Sequence, residues 1–150
     1  METSNKTHEV LNDLIEINND RVAGFEKAAK DLEAGGDADL KAVFAQLANE
    51  SRTNAAELRN LVGADAETGT SLLGDIHRAW IDVKATFSGH DRKSILEECE
   101  RGEDAIKKAY RTALQDGNEI SANAVAVISR QQQGVNAGHD QIKALRDSQA

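Results

Sequence analysis

Proline is absent from the 150 residues, so nothing in the covalent chain forbids long helices, and breaks must come from glycine and capping residues. The single cysteine, Cys99, excludes an internal disulfide and a thiolate zinc cluster. Aromatics make up 3% of the chain, as Phe25, Phe44, Phe87, Trp80 and Tyr110. Aliphatic and alanine side chains must therefore fill the core, and a platform for stacking bases is excluded. No run approaches the roughly 20 apolar residues of a spanning helix, and the opening METSNKTHEV has no apolar signal-peptide core. Basic charge is also short: 18 basic against 26 acidic residues leave a net charge of −8, which repels phosphate and anionic lipid. These shortages predict a reduced, cytoplasmic protein whose partners are neither nucleic acid nor membrane.

What is present is helical periodicity. Leu11, Leu14, Ile15, Val22, Phe25, Ala29 and Leu32 recur at three- and four-residue spacing and predict a helix from about Thr7 to Ala34. Leu40, Val43, Phe44, Leu47, Ala55, Leu58 and Leu61 predict a second, from about Asp39 to Val62. A shorter helix is predicted over 71–87, a fourth from about Asp91 to Gln115 and a fifth from about Ser121 to Arg146. Period-two alternation has no convincing run, so the fold class is all-α. Four segments of about 25 residues, each about 37 Å long, match well enough to lie side by side as a four-helix bundle. Gly35-Gly36 and Gly117-Asn118 predict two antiparallel hairpins, with 63–90 as a long crossover carrying the short helix. A chain of this length supports one domain, residues 1–150.

Each long stripe is interrupted near its centre by a polar or small residue: Asn18; Ser51 and Asn54; Gly102 and Glu103; Gln131, then Gly138 and His139. When the hairpins close, these breaks fall at similar heights and predict a polar mid-bundle layer. A buried polar group without a partner costs about 1–3 kcal/mol, so the layer is either a hydrogen-bonded network or a ligand site. In the first case Glu103 pairs with Arg21, Arg52 or His139, while Asn18, Asn54 and Gln131 satisfy one another. In the second, a metal binds to Glu103 and His139, with Glu50 able to join although it sits one position off the inward stripe, on what reads as a solvated flank.

Other residues carry weaker signals. His77 and Trp80 share a face of the short segment, as a packing lid or as the interface of a homo-oligomer, a dimer in the simplest case. Cys99 follows the core stripe as an inert buried thiol. Glu97-Arg101, Glu100-Asp104 and Glu103-Lys107 have the spacing of surface charge pairs. No phosphate-cradling loop or nucleophile elbow occurs.

Two hairpins, a long crossover and inward mid-helix polar residues resemble the ferritin-like superfamily, and Gly102-Glu103-Asp104 followed by Tyr110 looks like the third core helix of its rubrerythrin branch. LNDLIEINNDRVAGFEKAAKDL, HRAWIDVK, ILEECERGEDAIKKAY and GHDQIKALRD are similar to an uncharacterised, mainly proteobacterial family of four-helix-bundle proteins, a domain of unknown function. Active ferritin-like proteins hold two irons with a Glu from each of two helices and Glu-x-x-His from each of the others. Here the residues three before His8, His77, His90 and His139 are Asn5, Gly74, Phe87 and Asn136, so the pair never occurs. Laid on that motif, Asn18, Ser51, Asn54 and Asn136 replace ligands, and only Glu103 and His139 match. The resemblance thus implies a kept fold without its di-iron chemistry. The expected protein has no cofactor and a non-catalytic binding or stress-associated role. An iron or zinc protein using Glu103 and His139, or an assembly module, are the alternatives.

Overall fold

The three-four stripes wind into four long α-helices in the computed structural model, which describes residues 5–32, 38–63, 92–115 and 120–148. They are α1 (Asn5–Asp31), α2 (Ala38–Val62), α3 (Arg92–Gln115) and α4 (Ala122–Asp147). The described residues form an all-α four-helix bundle. Glycine ends α2: Gly63 has φ 81°, the left-handed cap that a side chain disfavours. Serine begins α4, where the Ser121 hydroxyl accepts from the Ala124 N–H at 3.3 Å.

Cross-helix bonds give the directions. On α1 and α2, Asn19 meets Arg59 and Arg21 meets Glu50, so the two are antiparallel. On α3 and α4, Tyr110 meets Gln131 and Asp104 meets His139, again antiparallel. Asn18 to Tyr110 and Arg21 to Glu103 make α1 antiparallel to α3. At the far end the Ser121 N–H donates to Thr7 Oγ1 at 3.0 Å, bringing the starts of α1 and α4 together. The helices α2 and α3 therefore run the same way, and the end of one and the start of the other lie at opposite ends of the bundle. Packing is closest between α1 and α2 and between α3 and α4, and sparser between α1 and α3 and between α2 and α4.

Two apolar clusters fill the interior. One joins Val10, Leu14, Ile17, Leu58, Ile106, Tyr110, Ile128 and their neighbours. The other joins Phe25, Leu32, Leu40, Phe44, Leu47, Ile95, Cys99 and Ile142, with the Phe25 and Phe44 ring centroids 5.5 Å apart. Fully burying one such ring stabilises the fold by about 1.5–3 kcal/mol. The polar residues lie between the clusters.

The predicted bends at Gly35-Gly36 and Gly117-Asn118, the helix over 71–87, the crossover, and His77 and Trp80 lie outside the described residues. Among the described residues no helix is long and apolar enough to cross a membrane.

Among the described residues no atom lies within 4 Å of a Cβ added at Gly63, so backbone strain is what opposes a side chain there. Gly63→Ala is expected to cost about 1–2 kcal/mol in denaturant unfolding, with no change in helix content by circular dichroism.

Candidate functional site

Arg21 lies three residues after Asn18 and four before Phe25, on the inward face of α1, so its side chain is delivered to the bundle centre. It is fully buried, as is Glu103. Its Nε donates to Glu103 Oε1 at 2.7 Å and its Nη2 to Glu103 Oε2 at 2.8 Å, the paired geometry that gives the strongest arginine-carboxylate bonds. Its Nη1 donates to Glu50 Oε1 at 2.7 Å and to Ser51 Oγ at 3.1 Å. All but one of the guanidinium N–H groups are thereby engaged, and the group sits 5.6 Å from the Phe25 ring centre. Burial disfavours the charge on Arg21, but Glu103 first and then Glu50 outweigh it and hold the guanidinium above its ordinary pKa. Burial lifts the Glu103 carboxyl above the ordinary glutamate value against the pull of Arg21, and Glu50 adds a smaller push.

Space for this pair comes from α4. A Cβ on Gly138 would stand 2.7 Å from Arg21 Nη2 and 3.1 Å from both Glu103 Oε2 and Leu47 Cδ2.

A second set of bonds runs beside the pair. Asn18 Nδ2 donates to the Leu14 carbonyl at 2.8 Å and to the Tyr110 hydroxyl at 2.9 Å. Tyr110 donates to Gln131 Oε1 at 2.7 Å. Gln131 Nε2 donates to Glu57 Oε1 at 2.8 Å and to the Asn54 carbonyl at 3.3 Å, while Asn54 Nδ2 donates to Asn18 Oδ1 at 3.5 Å. The chain reaches the surface at Glu57, which also pairs with Arg130. Burial pushes the Tyr110 phenol up and keeps it a donor. The Gln131 bond, helped by Arg130, lowers the Glu57 carboxyl against a weaker effect of burial.

His139 points elsewhere. Its Nε2 lies 2.5 Å from Asp104 Oδ1 and its Nδ1 3.3 Å from Asp140 Oδ1, at the seam of α3 and α4. All six residues expected in the layer, Asn18, Ser51, Asn54, Glu103, Gln131 and His139, are buried, but they divide among these three arrangements. The would-be set Glu103, His139 and Glu50 is not brought together: a guanidinium stands between the two glutamates, and the imidazole faces Asp104. Glu50 is not a solvated flank, because α2 lets its carboxylate reach inward to Arg21. Glu100 and Glu103 are buried too, rather than exposed surface charges. Cys99 is buried, and burial, then Glu103 and Glu98, push its thiol well up, so it stays protonated.

Arg21, Tyr110 and Glu57 carry more of the layer than their sequence positions advertised. Arg21 had a legible signal, a cation in register with Asn18 and Phe25 on the apolar stripe; Tyr110 had a weaker one, a hydroxyl that needs a partner once buried.

The residues present do not fit a di-iron centre. Both Glu103 oxygens are bonded to a fixed cation, which repels a metal ion, and the Asn18 amide is committed to Leu14 and Tyr110.

Residues 6–116 match the domain of unknown function DUF2383. The chain belongs to that family. The DUF2383 match takes in Arg21, Glu50, Ser51 and Glu103 but stops before α4, which supplies Gly138 and Gln131. No curated protein matches the chain.

Removing one member of a buried ion pair strands the other. Arg21→Met is expected to cost about 3–5 kcal/mol in denaturant unfolding, and adding Glu103→Leu to restore most of it; additive losses would show that the pair is not the coupled unit described. Because the Gln131 amide stabilises the Glu57 carboxylate, Gln131→Leu should move the Glu57 carboxyl pKa upward in a carbon-13 NMR titration. The stability that this bond lends is present above the ordinary glutamate pKa and is lost as pH falls through the lowered folded value.

Proposed function

We propose that this DUF2383 protein is a bacterial, cytoplasmic member of the ferritin-like superfamily that has lost the di-iron ligands and acts without catalysis, as a homo-oligomeric binding protein of stress-associated type. The observation that carries the reading is Arg21. A permanent cation, bonded through both oxygens of Glu103 and to Glu50, occupies the middle of the bundle where the resemblance would put metal ions. An arginine needs no loading and has no redox chemistry, so the layer it organises serves helix register rather than turnover. Antiparallel hairpins with parallel α2 and α3 support the superfamily placement, since that order is what two hairpins and a long crossover produce. The buried, protonated states of Cys99 and Tyr110 leave neither poised as a nucleophile. Binding then falls to the outer helix faces, with His77 and Trp80 the candidates for contact between copies.

Metal analysis of the full chain, purified without chelator from iron-replete cells, tests the central claim. The expected result is no stoichiometric iron that depends on Glu103. Stoichiometric iron abolished by Glu103→Gln would overturn it in favour of a metalloprotein. Light scattering is expected to return a dimer or larger assembly, and a strict monomer at high concentration would remove the oligomeric part of the reading.

A further inference from the structure

Beside the Arg21 pair, at the seam of α3 and α4, a second group of side chains converges, with Asp104 next to Glu103 and His139 next to Gly138 in the chain. Glu100 and Asp104 are four residues apart on α3, hence side by side on one face, and His139 reaches them from α4. One oxygen from each carboxylate and one imidazole nitrogen all lie within 4.8 Å of one another. Ligands about 2.1 Å from a common ion stand roughly 3.0–3.4 Å apart. The Asp104-His139 contact of 2.5 Å must therefore open slightly and the wider spacings close slightly, movements within side-chain reach on two packed helices.

One observation beyond the cluster points to a cation. Asp140 Oδ1 stands 3.3 Å from His139 Nδ1, the outer carboxylate that orients a metal-binding imidazole and leaves Nε2 as the ligand. The His139 side chain is only 9% exposed, so the ring is held in that orientation by packing. An ion must displace a competitor from Glu100: Arg146 from α4 is paired to it, but unlike buried Arg21 this guanidinium is 33% exposed and also donates to Asp147 at 2.7 Å. Arg146 has a second carboxylate to keep if a stronger cation takes Glu100.

We propose that Glu100, Asp104 and His139 form a mononuclear site for a first-row divalent cation of the zinc or ferrous class, with Arg146 as its built-in competitor. One imidazole and two carboxylates suit such an ion better than calcium or magnesium, which take oxygen alone, or copper(I), which takes sulfur. Two carboxylates balance a double positive charge, and Asp104, 61% exposed, gives the ion entry and leaves water in its remaining positions. The site uses neither Glu103 nor Glu50, so it stands independently of the function proposed above.

Calorimetric titration of the full chain with Zn2+ tests it. One Zn2+ per chain is expected, with His139→Ala and Asp104→Asn each weakening binding about tenfold or more and Arg146→Gln tightening it. In the unmodified protein, Zn2+ should shift the His139 ring resonances, a reading that needs no variant to fold. Absence of saturable binding, unshifted His139 resonances, indifference to Asp104→Asn, or no tightening in Arg146→Gln would overturn the site. Zn2+ retained in Asp104→Asn but lost in Glu103→Gln would put the ion at the central layer and overturn the proposed function as well.

Discussion

Everything at the centre of this bundle is arranged around one buried charge. Arg21 cannot lose its proton under any ordinary condition, and an unpaired guanidinium in an apolar interior would be prohibitive. The surrounding helices must each therefore answer it: α3 with Glu103, α2 with Glu50 and Ser51, and α4 with a glycine where any side chain would collide. Such a pair gives little net stability compared with apolar packing. Its effect lies in selectivity, because a shift of one helix by a single turn, about 5.4 Å, would strand a charge instead of exchanging one leucine for another.

The hydrogen-bonded run from Asn18 through Tyr110 and Gln131 to Glu57 has the same logic with neutral groups. Each member donates to the next, and only the last is charged and near solvent, where Arg130 meets it. Together the two arrangements separate the apolar clusters and tie all four helices at one height. The bundle thus has two dry halves and a polar waist.

Much of this is legible in the sequence. Three-four periodicity located the four long helices to within a few residues of their ends, because an uninterrupted, proline-free pattern leaves little ambiguity. The interruptions at Asn18, Ser51, Asn54, Glu103, Gln131 and His139 named residues that are indeed buried. Part of their pairing is legible as well: Arg21 is one of three partners open to Glu103, and Asn54 does bond Asn18 and accept from Gln131, but which partner Glu103 takes and where His139 turns are not. Periodicity gives a face but not a rotation of a few tens of degrees, and that rotation sends His139 toward Asp104 instead of Glu103 and lets Glu50 reach inward. A long side chain hides its destination further: Arg21 sits on the stripe like an error in the pattern, and only packing shows that its charge is the organising element. Glu100 and Asp104 looked like ordinary surface spacing, since their distinction comes from a histidine 35 positions beyond Asp104 in the chain.

The glycine at 138 has a companion at 134, one turn away, where the Glu50 carboxylate approaches to 3.4 Å from the position of a Cβ. Glycine in a helix interior gives up about 1 kcal/mol of intrinsic helix propensity relative to alanine, so α4 is intrinsically weakest in its middle, at the level of the ion pair. Its central turn is held by its partners more than by its own backbone preference. The glycines that make room for the arginine site thus leave α4 dependent, at its centre, on the contacts that α1, α2 and α3 supply there.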